Sequence, residues 1–417
     1  MPDFIFRLPQ KLTDAQLLAI DFYDDSLIIT GGPGSGKTTV TLYRFLRPIK
    51  NKENALLFTY NRTLLASIKG ILRNKSEELF GSLDEDTINN IINNKVISFY
   101  KWFAQGGRWF DPTLNESEIK DRFSVSSNLF TEVFFDEGQD LTPAVFANAF
   151  LLAPKITCGA DNAQDLQSNF PPDEALSTIL DLLNNQSHTD LQPLSSNFRN
   201  TKEIFDLARS FVPDDASVQN INIQELKSGD KPEIIDSLDD QNQLNKIKEI
   251  ITANSSSNIG ILVNYGNQVL DIKKFLELNQ FSCQRDAANN LSFSYYYNGM
   301  PFADETIMFD HMKTPFICTY DSCKGLEFDI VILPFFNDAE RALYKPRKRK
   351  VGDFWIEETN ADGSTKMWAT RNHYYVGATR ARTKLYIMCN EIPDILKTAS
   401  INAAPNNLYD EDDDLPF

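Results

Sequence analysis

Short apolar runs recur along the chain, each followed by a polar loop and a stretch with helical spacing. SLIIT at 26, ALLFTY at 55, KVISF at 95, TEVFFD at 131 and KITCG at 155 form a first series. PEIID at 232, NIGILV at 258, FICTY at 316, FDIVIL at 328 and KLYIM at 384 form a second. Runs this short and this uniformly apolar predict strands buried on both faces, and their alternation with amphipathic stretches predicts parallel sheets covered by helices. Two series predict two α/β domains joined near residue 195. The polar ANSSSN at 253–258 reads as a helix-to-strand loop, and no internal repeat is present. In sheets of this kind ligands bind at the carboxyl ends of strands, so the chemistry is expected in the loops that follow the runs.

Composition narrows the class. With 417 residues, 42% of them hydrophobic and 12% aromatic, the chain can build two packed cores. Its 58 acidic and 41 basic residues give a net charge of -17, so any nucleic-acid binding must draw on a local basic groove. The best local candidate is KPRKRK at 345–350, which reads either as a phosphate-binding cluster or as an exposed charged loop. Five cysteines, widely spread and without a C-x-x-C pair, suggest neither a disulfide framework nor a zinc site. The longest apolar run, IVILPFF from Ile330, is far short of a membrane span, and MPDFIFRLPQ lacks the layout of a secretory signal. A cytoplasmic protein without membrane association is expected.

GGPGSGKTT at 31–39 lies between the first apolar run and a helical stretch, the strand-loop-helix setting that a P-loop requires. Gly31, Gly32, Gly34, Ser35 and Gly36 would turn backbone N–H groups toward a phosphate at a helix N-terminus. Lys37 supplies a point charge, and Thr38 a hydroxyl for Mg²⁺. FFDEGQD, at the end of the fourth run, supplies Asp136 to hold the metal and Glu137 to activate the attacking water as general base. The expected cofactors are ATP and Mg²⁺.

With these two pieces placed, the remaining loops resemble, in order, the motifs of the UvrD/Rep-like branch of the superfamily 1 helicases, over roughly residues 10 to 390. The resemblance implies an α/β P-loop NTPase of two tandem RecA-like domains, residues 1–195 with a short insertion near 70–128, and residues 196–398. LTDAQLLAI looks like the adenine-reading motif, with Gln16 as reader. LLFTYNRTLLASI and VISFYKWF look like the first two DNA-contacting motifs, which bring in Tyr60, Asn61, Ser98 and Tyr100. FFDEGQDLTP carries the family's Gln139, and in GADNAQDL the resemblance makes Gln164 the γ-phosphate sensor. LSSNFRNTKEI and YYVGATRARTKLYI imply arginine fingers Arg199 and Arg380 from the second domain, with Arg382 open between finger and salt-bridge partner. TYDSCKGLEFDIVIL implies Thr319 and Ser322 at DNA phosphates and Glu327 at the nucleotide ribose. The forms of these motifs imply 3′ to 5′ movement on a single strand.

Four features depart from that pattern. The aromatic platform for a base after the glutamine loop is missing, which leaves Phe170 as the nearest candidate, off register. Asp321 stands where the family has histidine, and a carboxylate there would repel a DNA phosphate. Thr39 stands where many members carry an arginine that stacks on adenine, which implies loose nucleotide selectivity. The insertions are short, so the chain reads as a core-reduced motor whose ATP hydrolysis is better supported than unwinding.

The chain ends in YDEDDDLPF at 409–417, within an acidic stretch, 399–417, expected to be disordered. Its tip resembles that of bacterial single-stranded DNA-binding protein. Asp414, Leu415, Pro416 and Phe417 would then dock onto proteins that read that tip, or the acids would cover the chain's own DNA groove; a plain solubilising tail is the alternative. Two functions stay open on the sequence. One is an ATP-dependent motor on DNA in repair, replication or defence against foreign DNA. The other is a regulatory NTPase switch controlling a partner such as a nuclease.

Overall fold

The computed structural model describes residues 8, 11–81, 83–104, 116–127, 129–283, 292–300, 312–351 and 354–397. The first sheet takes β1 (Ser26–Thr30), β2 (Ala55–Thr59), β3 (Val96–Ser98), β4 (Glu132–Asp136), β5 (Ile156–Ala160) and β6 (Thr189–Pro193) in the order β3-β2-β4-β5-β1-β6. The second takes β7 (Glu233–Ile235), β8 (Ile259–Val263), β9 (Ser282–Cys283), β10 (Ser292–Tyr296), β11 (Phe316–Thr319), β12 (Phe328–Leu333) and β15 (Ala381–Met388) in the order β7-β15-β12-β8-β11-β10-β9. Every pairing in both sheets is parallel.

All ten apolar runs are strands of these sheets. Three strands escaped the pattern. The edge strand β6, TDLQP, buries only Thr189 and then alternates half-buried and exposed residues instead of forming an apolar run. At the far edge of the second sheet, β9 has only two residues, and β10 reads SFSYY, with serines at buried positions. The basic stretch at 345–350 is not the exposed loop that was one of its readings: Lys348–Val351 is β13, paired antiparallel with β14 (Phe354–Glu357). β-forming Phe354, Trp355 and Ile356 explain the ribbon.

Packing follows the two sheets. Phe58, Val133, Phe135 and Cys158 face one core of the first sheet, and Leu57 and Phe134 join Phe45 and Ile68 in another on the opposite face. The helix Lys202–Arg209, which follows β6, buries Ile204, Phe205, Leu207 and Ala208 among Leu262, Val331 and Tyr375 of the second sheet's core. The chain therefore passes from one core to the other just after β6. Residues near 70–128 form the short helices Ser76–Phe80, Glu85–Asn90, Phe99–Ala104 and Glu116–Val125, with 105–115 outside the described residues. No described helix is long and apolar enough to cross a membrane. The acidic tail from 398 onward, with Asp414, Leu415, Pro416 and Phe417, lies outside the described residues.

Candidate functional site

β1 ends at Thr30 and the helix Lys37–Lys50 begins seven residues later, so the loop between them closes over a helix N-terminus. Gly34 (φ 73°) and Gly36 (φ 95°) hold left-handed conformations that only glycine adopts without strain, and a Cβ at Gly34 would lie 2.6 Å from Arg199 Cβ. The loop forms one wall of a 990 Å³ cleft whose other residues include Gln16, Thr38, Thr39, Glu137, Gln164, Arg199, Glu327 and Arg380. Lys37 Nζ donates to the carbonyls of Gly31 and Gly32 and lies 3.3 Å from Asp161 Oδ2. Ser35 Oγ is buried without a partner. A cationic amine and an unspent hydroxyl at a helix N-terminus suit a phosphate.

Gln16 sits in the first turn of the helix Asp14–Asp21, where it and Thr13 cap each other. Its Nε2 donates to Ser35 O at 2.9 Å, so the residue expected to read adenine is clamped to the P-loop. Thr39 is buried on the same wall.

The acidic pair stands at the end of β4. Asp136 Oδ2 is buried with no hydrogen-bond partner, close to the Thr38 hydroxyl. Burial, followed by the adjacent Glu137 charge, raises the pKa of Asp136. A carboxylate held at such cost beside a threonine hydroxyl fits a divalent cation, which would repay the desolvation; Mg²⁺ would be held by Thr38 and Asp136. Burial also opposes ionisation of Glu137, but Lys324, Lys37, Arg380 and the Gln139 amide outweigh it and lower its pKa. Glu137 has a left-handed backbone (φ 59°), a strained conformation for a non-glycine residue. Gln139 Nε2 donates to Glu137 Oε2 at 2.6 Å, and its Oε1 accepts from the Asp161 N–H at 3.2 Å. Gln139 is thus wholly buried and braces the acid rather than lining the cleft.

The second sheet closes the site. Arg380 Nη2 donates to Gln164 Oε1 at 3.0 Å, and its Nε donates to Val376 O at 3.0 Å. Burial, and after it the nearby Arg199, lowers the pKa of the Arg380 guanidinium to about 10, so it stays charged at neutral pH. Arg199 and Arg382 both pair with Glu327, at 3.2 and 2.7 Å, so both carboxylate oxygens of the residue expected at the ribose are taken by arginine. Lys324 Nζ lies 2.7 Å from each Asp140 oxygen and 3.8 Å from Glu137 Oε2.

The UvrD/REP helicase N-terminal domain family matches residues 12–262, more than half of the chain. The chain belongs to the UvrD/REP helicase family. Its two parallel sheets are the tandem RecA-like units of a P-loop motor, and membership makes it a nucleotide-hydrolysing, helicase-type protein. No curated protein matches it. Among solved structures, the C-terminal domain of a possible DNA helicase from Lactobacillus plantarum WCFS1 is similar at 14% identity and a TM-score of 0.30, covering 49% of this chain and 94% of that one. An arterivirus nonstructural protein 10 (helicase) in complex with DNA is similar at 15% identity and a TM-score of 0.38, covering 92% of this chain and 65% of that one. A second crystal structure of arterivirus nonstructural protein 10 (helicase) gives 14% identity and a TM-score of 0.37, with 90% and 61% covered. The chain thus spans less than two thirds of the arterivirus helicases' length.

The expected DNA-contacting residues of this UvrD/REP family chain gather in one place but are not equally open. Tyr60 and Tyr100 are half-buried, with ring centroids 5.1 Å apart. Asn61 caps the helix Arg62–Asn74, and its Nδ2 donates to Asp321 O at 2.9 Å across the two sheets. Ser98 accepts from the Lys101 N–H, and the Thr319 and Ser322 hydroxyls meet at 3.1 Å, buried. Phe170 requires a correction: it is 2% exposed, packed in the first sheet's core with Phe146 and Ile179, and cannot offer a face to a base. Asp321 is a carboxylate with His373 Nε2 3.5 Å from its Oδ1.

Sequence reasoning missed three residues of the site. Lys324 lies inside the KGLEF stretch, but nothing in its spacing marked it as the group that would cross to the first sheet. Asp161 begins the glutamine loop and takes both Lys37 and Gln164 Nε2. Phe198 lines the cleft and is 51% exposed, a conspicuous position for a phenylalanine. Its signal was an aromatic directly before Arg199.

Proposed function

We propose that this chain is an ATP-driven motor on single-stranded DNA, with hydrolysis stimulated by the strand and movement 3′ to 5′, acting in repair, replication or defence against foreign DNA. The observation that carries the reading is the wiring of Glu137. Its neighbours Asp140 and Gln164 bond Lys324 and Arg380, and Lys324 follows by two residues the Ser322 of the candidate DNA face.

Phosphoryl transfer is largely positioning and electrostatics. In this reading Glu137, kept ionised, orients and deprotonates the attacking water. Lys37, Arg199 and Arg380 stabilise charge developing on the phosphate oxygens, and Gln164 reports their arrival to the first sheet. Mg²⁺, when bound by Thr38 and Asp136, neutralises phosphate charge. Arginines from one sheet complete a site on the other, so hydrolysis requires the two to close. A strand held by Tyr60 and Tyr100 on one side and the loop of Thr319 and Ser322 on the other would be moved by alternate closing and opening. The terminal Asp414, Leu415, Pro416 and Phe417 would recruit the motor to proteins that read such tips; deletion of 410–417 should abolish those pull-downs.

The test is steady-state ATP hydrolysis with and without single-stranded DNA at low and moderate salt, with Glu137→Gln as the blank. Stimulation that fades with salt supports the motor. Hydrolysis indifferent to the strand replaces it with a regulatory NTPase switch.

A further inference from the structure

Between β12 and β15 the second sheet carries an insertion that neither the ATP site nor the expected DNA motifs use. β13 and β14 form a two-stranded ribbon in the register Lys348 to Glu357, Arg349 to Ile356, Lys350 to Trp355 and Val351 to Phe354. Alternation along a strand places Arg349, Ile356 and Phe354 on one face and Lys348, Glu357 and Trp355 on the other. Phe354 is 76% exposed, Trp355 67% and Ile356 47%. Isolated two-stranded ribbons are marginal in water, and this one exposes an aromatic ring on each of its two faces, apolar surface that a ligand could cover.

The ribbon's charge is opposite to that of the chain. Five of the six residues at 345–350 are cationic, against a net charge of -17. Lys345 is spent at the root, over the Tyr265 ring at 4.6 Å, and Arg347 lies 3.6 Å from Glu358. Lys348 is partly offset by Glu357 at 3.3 Å. Arg349 is exposed and has no ion-pair partner among the described residues. An unpaired guanidinium beside an exposed aromatic calls for a ligand that repeats both an anion and a flat apolar face. Single-stranded nucleic acid is such a ligand, because every nucleotide carries one phosphate and one base. A purely acidic peptide would satisfy the cations and leave the rings idle.

Location adds a third argument. Lys366, at the root of the ribbon, donates to Gln167 O in the loop that carries Gln164. Arg347, Lys366 and His373 line a 180 Å³ cavity with Leu166 and Ser168 of that loop. His373 faces Asp321, whose carbonyl takes Asn61. The ribbon therefore adjoins the candidate DNA face and touches the γ-phosphate-sensing loop.

We propose that the β13–β14 ribbon is an additional grip for single-stranded DNA, with one base stacking on Phe354 beside Arg349 on one face and another on Trp355 beside Lys348 on the opposite face, the strand crossing the ribbon between them. It takes over the stacking that buried Phe170 cannot supply. The inference rests on the motor reading above.

The experiment is fluorescence anisotropy of a labelled thymidine oligonucleotide with the full chain, without nucleotide, across a salt series, together with tryptophan emission. The double variant Phe354→Ala/Trp355→Ala should bind roughly tenfold more weakly or worse, since stacking on two rings is lost. Arg349→Ala should reduce the log–log salt slope by about 0.7. DNA-independent ATP hydrolysis and the unfolding midpoint should stay at the wild-type values, because these side chains are exposed and remote from the cleft. The oligonucleotide should quench tryptophan emission in the wild type and much less in Trp355→Phe. Equal affinity of wild type and double variant, with strand-stimulated hydrolysis intact, would overturn the ribbon and leave the motor standing. A wild type that binds no oligonucleotide would overturn both. Quenching of Trp355 by the peptide YDEDDDLPF and not by the oligonucleotide would overturn the assignment in favour of a peptide site.

Discussion

Lys324 Nζ, from the loop after β11, lies 2.7 Å from both carboxylate oxygens of Asp140, after β4, and the pair is wholly buried. The same ammonium is the strongest favourable influence on the Glu137 charge, so one cation ties Glu137 to the second sheet. Removing one partner of a buried pair leaves an uncompensated charge and costs about 3–5 kcal/mol. Lys324→Met should therefore lower the unfolding midpoint and abolish strand-stimulated hydrolysis. Adding Asp140→Asn should recover much of the stability and none of the activity. Denaturant unfolding and ATPase rates on the single and double variants check this, and recovery of activity in the double variant would refute the link to Glu137.

Glu137→Gln keeps the shape of the acid and its Gln139 contact but removes the proposed base. Hydrolysis should fall roughly 10²- to 10⁴-fold with ATP affinity retained. Lys37→Ala should lose both, because the amine that now spans Gly31, Gly32 and Asp161 is the charge available to a phosphate. Nucleotide binding by calorimetry beside steady-state rates separates the two effects.

Phe198 presents an exposed ring in the cleft that also holds Gln16 and Thr39. With threonine at 39, this ring is the expected stacking surface for an adenine. Phe198→Ala should raise the KM for ATP several-fold, in line with about 0.5–1.5 kcal/mol for an aromatic pair, with kcat little changed. A KM at the wild-type value would place the base elsewhere.

The sequence made the scaffold legible because parallel strands buried on both faces read as apolar runs, and all ten runs became strands. β6 and β10 lay at or near sheet edges, where polar residues break that signal. The P-loop was legible because its geometry demands glycine, lysine and threonine at fixed spacing. Phe170 was misjudged because an aromatic near the right position says nothing of which way it faces; tertiary packing turned it into the core. Lys324 and Asp140 were hidden for a related reason: 184 residues apart, they become a pair only once the two sheets are apposed. The ribbon was read by its charge, while the three apolar residues that pair with it lay a few positions further along the chain.

Asp321 shows how a replaced residue is accommodated. Thr370 N–H donates to His373 Nδ1 at 3.0 Å, which directs the other ring nitrogen, Nε2, to Asp321. Burial opposes the carboxylate's charge, yet His373, Arg347 and Lys366 together lower its pKa to about 2. A folded-state pKa below the unfolded value means stability present above about pH 4 and lost as pH falls toward 2. Asp321→Asn should thus destabilise by on the order of 2 kcal/mol at pH 6, with the difference from wild type vanishing toward pH 2. Urea unfolding at several pH values measures it, and a difference independent of pH would exclude the charge as its source.

Arg44 is buried in the helix after the P-loop, where its pattern position looks like an ordinary polar residue. Its guanidinium donates to Ala19 O at 2.7 Å, Phe22 O at 2.6 Å and Thr157 Oγ1 at 3.0 Å, and pairs with Glu132 at 3.2 Å. The first two carbonyls end the helix that carries Gln16, so Arg44 fastens that helix to the first sheet. Arg44→Met fills the volume but leaves Glu132 with only the Thr157 hydroxyl at 2.6 Å and Arg47 at 3.4 Å. A loss of about 3–5 kcal/mol is expected. Because Gln16 is clamped to Ser35 on the other side, loosening its helix should also raise the KM for ATP more than it lowers kcat. Unfolding curves and steady-state kinetics on one preparation test both halves, and a stability loss with an unchanged KM would show that the Thr13 capping box and the Ser35 carbonyl suffice to place Gln16.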